Sequence, residues 1–207
     1  MKGQALVQSF RRGAAPRHLV LVALCGLLSG CAVRGLDGLS PEQKSAAHRV
    51  EAYLNRPVML QGNFTQVGPR DNGGAGRFTY QPGSLALDYL SPHPMTLRAS
   101  GAHLVLDDSQ TGAVTRLSLS RNPLGLLLHV PVRFGGSIRV TDMRRVPGAS
   151  QISLAEADNP SQGLLTLRFI DHDRTLVLST LDGVDARGNH IVLSLSDVSE
   201  TGVSPKN

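Results

Sequence analysis

The chain has 207 residues and a formal net charge of +5, from 21 Lys and Arg against 16 Asp and Glu, with two cysteines and no tryptophan. Lys2, Arg11, Arg12 and Arg17 lie among the first 30 residues with no acid beside them, so the rest of the chain is left at about +1. A balance so close to even lacks the concentrated basic surface that nucleic-acid binding requires, and no nucleic-acid partner is expected.

The first thirty residues read as a lipoprotein signal peptide. The basic residues are followed by an apolar run, Leu19 to Leu28, which is too short to span a bilayer as a mature helix. The run ends in Leu28-Ser29-Gly30-Cys31, a lipobox. Small Ser29 and Gly30 admit a signal peptidase, and the Cys31 thiol is the nucleophile that takes a diacylglyceryl group. Residues 1–30 are therefore assigned to the signal, 31–39 to a tether and 40–200 to the folded domain. Cys25 leaves with the signal and Cys31 becomes a thioether, so no thiol is left for a disulfide, a metal or nucleophilic catalysis. Ala32 follows Cys31, where an aspartate would be a retention signal for the inner membrane in some bacteria. The expected location is the periplasmic side of the outer membrane, held by the lipid.

Ser40-Pro41-Glu42-Gln43 opens a helix: Ser40 suits the N-cap, Pro41 the first turn, and Gln43 closes a capping box. Ala46, Ala47, Val50, Tyr53 and Leu54 recur at helical spacing, and Asn55-Arg56-Pro57 stops the helix. From Val58 the period changes to two. Apolar alternation runs through Leu60 and Phe64, Phe78 and Tyr80, Leu85 to Tyr89, Met95 and Leu97, Leu104 and Leu106, Ile138 and Val140, Ile152 and Leu154, Leu165 to Phe169, Leu176 and Leu178, and Ile191 to Leu195. Turns such as Pro82-Gly83, Ser100-Gly101 and Asp182-Gly183 separate the runs, which gives about ten strands in an antiparallel meander. One segment breaks the pattern. Asn122-Pro123-Leu124-Gly125-Leu126-Leu127-Leu128 has a helix-start signature and lies between strands, where a short apolar helix would cover one mouth or face of the sheet.

The order of these segments resembles the LolA/LolB family of lipoprotein carriers and receivers. The likeness rests on Gly62-Asn63-Phe64-Thr65-Gln66, then Gly76-Arg77-Phe78-Thr79-Tyr80 with its Pro-Gly turn, Ser91-Pro92, Ser100-Gly101, the Asn122 to Leu127 segment and a late Leu-rich hairpin. It implies a mainly β fold: a curved, incompletely closed antiparallel half-barrel with an N-terminal helix and a short apolar lid helix. It implies that the concave face binds the acyl chains of lipoproteins, or other lipids, and that an inner-membrane lipoprotein-release transporter is a partner. No cofactor or metal is implied, and a monomer is expected. Family carriers often place a basic, lid-latching residue before the proline that follows the second strand. Here that residue is Gln81.

The candidate lipid-binding residues are Leu60, Phe64, Phe78, Tyr80, Leu87, Tyr89, Leu97, Leu104 and Leu106, because each shares the apolar face of a period-two run. The candidate lid is Leu124, Leu126, Leu127 and Leu128, too apolar for an exposed connection. If the face is an open trough, Leu87→Glu should abolish lipid binding and leave the domain folded. Two other readings stay open. A structural or assembly lipoprotein would have the same strands around a filled core. An enzyme would need a site, but Asp171-His172-Asp173 reads as a polar turn, Asp107-Asp108 as part of a hairpin loop, and no nucleophile elbow or phosphate-cradling glycine loop is present.

Overall fold

The computed structural model describes residues 35–69, 73–120, 122–172 and 175–202. The signal segment, Cys31, Asp71-Asn72 and Asp173 lie outside the described residues. Leu36–Gly38 forms a short 3-10 turn, and Leu36 and Leu39 pack against the core.

Helix α1, Pro41–Leu54, starts and stops as its sequence dictates. The Ser40 N–H donates to Gln43 Oε1 (2.9 Å) and the Gln43 N–H to Ser40 Oγ (3.2 Å), which closes the capping box. Ala46, Ala47, Val50, Tyr53 and Leu54 form its buried stripe.

Among the described residues eleven strands follow: β1 (Val58–Val67), β2 (Gly74–Gln81), β3 (Ser84–Ser91), β4 (Met95–Ser100), β5 (His103–Asp108), β6 (Ala113–Ser118), β7 (Ile138–Val146), β8 (Gly148–Glu156), β9 (Gly163–His172), β10 (Thr175–Asp185) and β11 (His190–Gly202). They form one antiparallel sheet in the order β6-β5-β4-β3-β2-β1-β11-β10-β9-β8-β7. The path is simple. Hairpins lay down β1 to β6 on one side. Residues 119–137 then cross to the opposite edge, and β7 to β11 return by hairpins until β11 pairs with β1. The edges β6 and β7 do not pair, so the barrel stays open. The strand absent from the alternation pattern is β6, whose residues are all exposed. No buried face imposes a period of two on Ala113–Ser118.

The sheet must curve strongly. Leu104 on β5 and Ile138 on β7 share one core cluster. In a flat sheet, strands about 4.8 Å apart would hold them on the order of 40 Å from each other. Bulges add local twist, at Gln61/Asn63 against β11, at Val140/Asp142 against β8, and at Leu178/Thr180 against β9. Two glycines permit close packing on the concave face. A Cβ on Gly76 would lie 2.0 Å from the Asp88 carbonyl oxygen, and one on Gly62 would lie 2.5 Å from the Ser196 oxygen. The rings of Phe64 and Tyr89, cross-strand neighbours on either side of Gly76, meet edge to face with centroids 5.0 Å apart.

Candidate functional site

Register places every candidate lipid-binding residue on one face of the sheet. Leu60 lies opposite Tyr80, Tyr80 opposite Leu85, Leu85 opposite Ala99 and Ala99 opposite Leu104. A second row runs Phe78, Leu87, Leu97, Leu106. A third joins Phe64, Gly76, Tyr89 and Met95. Leu60, Phe64, Phe78, Tyr80, Leu87, Tyr89 and Leu104 are buried, whereas Leu97 and Leu106, nearer the β6 edge, are half-buried.

This face is covered and filled. The crossover contains a 3-10 helix, Pro123–Leu128, capped by Asn122, whose Oδ1 accepts the Leu124 N–H at 2.9 Å. At six residues it is long for a 3-10 helix, a form used mostly for short connectors. Leu126, Leu127 and Leu128 are buried, and Leu124 is half-buried. Leu127 sits among Phe78, Tyr80, Leu87, Leu178 and Leu193, where the residual space is about 10 Å³, at most about one water. The Leu87→Glu expectation therefore changes. Leu87 is 2% exposed in a packed interior, so a carboxylate there removes the fold along with any binding.

Open space lies to one side of the plug. A cleft of about 660 Å³ is lined by Gly83, Ser100, Leu119, Leu126, Leu128, Glu156 and Gln162, among others. Its size falls within the range of ligand pockets, about 300–1,000 Å³. It joins the β2–β3 and β4–β5 turns to the β8–β9 connection across the crossover. Only Leu126 and Leu128 belong to the candidate set. The rest come from the remainder of the crossover, including Asn122, Pro123 and Gly125 of the plug segment, and from turns and strand ends that meet only because the sheet folds over.

The covers interlock with one another. The side chain of Asn55 donates to the Val132 carbonyl (2.8 Å) and accepts the Val132 N–H (2.9 Å), and Glu51 Oε2 accepts the Phe134 N–H (2.7 Å). The Tyr80 hydroxyl lies 3.4 Å from both the Leu54 and the Leu127 carbonyl oxygens. Its single proton can serve one of them at a time, so it sits at the junction of sheet, helix and plug. Burial raises the pKa of Tyr80, and it pushes that of Tyr89 up to about 12. Both are neutral donors at physiological pH, and Tyr89 donates to Gln66 Oε1 at 2.6 Å.

Asp171 corrects the polar-turn reading. It lies on β9, on the same face as Phe169 and Leu167, with a fully buried side chain. Arg49 from α1 donates to both carboxylate oxygens, at 3.1 and 3.3 Å. Arg145 Nε donates at 2.9 Å, and Ser150 Oγ donates as well. Burial alone would raise the Asp171 pKa, but the bonds from Arg49, Ser150 and Arg145 outweigh it and hold the carboxyl well below the usual carboxylate range. A carboxylate so fully engaged cannot act as a base. It ties α1 to the sheet. Asp107-Asp108 does end β5 at a hairpin loop, where Asp108 Oδ1 accepts the Gln110 N–H at 2.9 Å. Among the described residues no group of three or more His, Cys, Asp or Glu could hold a metal ion, and no helix is long and apolar enough to cross a membrane.

An open antiparallel sheet curled around an apolar interior, with a helix and an apolar crossover over its concave face, defines the LolA-like fold. The profile of the family described as "Outer membrane lipoprotein carrier protein LolA" matches residues 58–207, and the chain belongs to that family. No curated protein matches it. Among solved structures, an uncharacterized conserved protein of Thermus thermophilus is similar at 11% identity and a TM-score of 0.45, over 77% of this chain and 90% of that one. A LolA superfamily protein of Nitrosomonas europaea is similar at 12% identity and a TM-score of 0.40, over 78% and 94%.

Proposed function

We propose that this protein binds the acyl chains of lipoproteins during their transfer to the outer membrane, and does so while anchored by lipid at Cys31. The observation that carries this is Leu127. The centre of the concave face is occupied by the chain's own leucine, on a segment that spans between the two edges of the sheet. The neighbouring 660 Å³ cleft gives acyl chains a place to enter beside that segment. Leu126, Leu127 and Leu128 keep the apolar face covered while the site is empty, and cargo displaces them. Net affinity is then the difference between cargo contacts and plug contacts. Covering about ten methylenes contributes on the order of 8 kcal/mol gross, enough to offset loss of the plug.

A lipid anchor at Cys31 favours the receiver role over the soluble carrier role, because a triacylated cysteine holds a protein on one membrane. The partners of that role are lipoproteins arriving through the periplasm, directly or from an inner-membrane release transporter. The protein is expected to act as a monomer. The filled interior also suits a structural lipoprotein whose core never opens. Extraction of the protein purified from membranes, followed by mass spectrometry, separates the two. Co-purified acyl lipid, together with a diacylglyceryl mass on Cys31, is the expected result. An empty protein that takes up no added lipid points to the structural role, and an unmodified N-terminus elsewhere removes the anchor.

A further inference from the structure

The two edges of the sheet are not alike. The β7 edge is guarded. The Gln43 side chain donates to the Met143 carbonyl (2.7 Å), a bulge interrupts the strand between Val140 and Asp142, and Arg139, Asp142, Arg144 and Arg145 line it. These devices prevent strand addition. The β6 edge has neither the side-chain cover nor the bulge, and little charge. Ala113–Ser118 is regular, free of proline and acid, and has one charge, Arg116. Its Val114 and Leu117 are 47% and 54% exposed. Among the described residues no strand pairs with its outer side.

The free hydrogen-bonding groups can be assigned. The Leu119 N–H donates inward, to the Ala102 carbonyl at 2.8 Å. Direction alternates along a strand, so Leu117 and Thr115 also point inward to β5, while Val114, Arg116 and Ser118 point outward. β6 then runs directly into the cleft, whose wall begins with Leu119 and Ser120.

We propose that the outer edge of β6 pairs with the extended polypeptide that follows the lipid-bearing residue of an acylated cargo. The proposal rests on the reading that the cleft receives the acyl chains. A peptide joined to chains seated there emerges beside Leu119, next to a row of alternate, unpaired N–H and C=O groups. An extended backbone satisfies that row whatever its side chains, which suits a protein that handles many cargo sequences. Lipid without peptide leaves the row unpaired.

The test compares two ligands on the full-length chain: a synthetic dipalmitoyl-cysteinyl hexapeptide, and phosphatidylglycerol with the same palmitoyl chains. Amide-resolved hydrogen exchange should show new protection at Val114, Arg116 and Ser118 with the lipopeptide alone. Arg116→Pro removes one outward N–H without touching the β5 ladder. It should weaken lipopeptide binding about five- to tenfold and leave phosphatidylglycerol binding unchanged. Arg116→Ala, which keeps the N–H, should bind both ligands as wild type does. Protection by both ligands alike would overturn the proposal, as would lipopeptide binding that leaves these amides unprotected. Protection before any ligand is added would mean that the edge is covered by another part of the chain or by a second copy, and would also overturn it. If neither ligand binds, the acyl-chain reading itself fails and takes the proposal with it; loss of the phosphatidylglycerol arm marks that case.

Discussion

Single residues fix how the covers sit on the sheet. Asp171 holds Arg49 and Arg145 with a buried carboxylate. Asp171→Asn keeps the shape and removes the charge, and should cost about 3 kcal/mol of stability at neutral pH. The pH dependence follows from the sign of the shift. A depressed folded-state pKa stabilises above the unfolded value, about 3.9, and that contribution fades as pH falls below it. Denaturation of both proteins between pH 3 and pH 7 should show a constant gap that begins to narrow below about pH 4, since the contribution is lost in full only below the depressed folded-state pKa; no narrowing at pH 3 would mean that the charge is not what matters. Gly76→Ala belongs to the same scale. The added methyl would meet the Asp88 backbone oxygen, which has no rotamer to yield. We expect a loss of about 2 kcal/mol or more in urea denaturation, where an exposed strand glycine would gain stability on the same change.

At the scale of elements, α1 and the crossover are capped pieces with different tasks. Ser40→Ala opens the capping box and should lower stability by about 1 kcal/mol, read as a shift in melting temperature, with lipid uptake unchanged. Leu127→Ala acts on the plug. It removes a side chain buried among Phe78, Tyr80, Leu87 and Leu193, so the empty protein should lose about 2–5 kcal/mol. The loss falls on the closed state alone, so lipid affinity should equal or exceed that of wild type in a fluorescent fatty-acid assay. Weaker binding would instead make Leu127 part of the lipid contact. Hydrogen exchange across Leu124–His129 should be faster than across β9 in the empty protein and should change on lipid addition. Protection equal to β9 and indifferent to lipid would make the segment a plain piece of core. Asn55, Glu51 and Tyr80 clasp the crossover to α1.

At the scale of the whole domain, a sheet of eleven strands among the described residues, whose two edges do not pair with each other, has to be joined by one long connection, and that connection lies over the concave face. Much of this was legible in the chain. Strands with one buried face showed themselves by alternation, and α1 by its caps and stripe. The candidate apolar residues of each strand fell on one face because of the period of two, and the register between strands brought those faces together. The strand β6 did not show, because neither of its faces is buried. Asp171 did not show, because Asp171-His172-Asp173 reads as a polar turn until two arginines and a serine close over Asp171.

The sequence by itself determined the helix, the apolar face, the plug segment and its cap, since each depends on neighbours within a turn or a strand. The tertiary structure alone decided that the face is filled rather than hollow, that a cleft opens beside Leu126 and Leu128, and that one edge is guarded and the other bare. Those properties depend on residues far apart in the chain, such as Asp171 with Arg49, 122 positions away, and Glu156 with Ser100 across the cleft. Local pattern does not encode such distances. They are set by how far the sheet curls before its edges run out of partners.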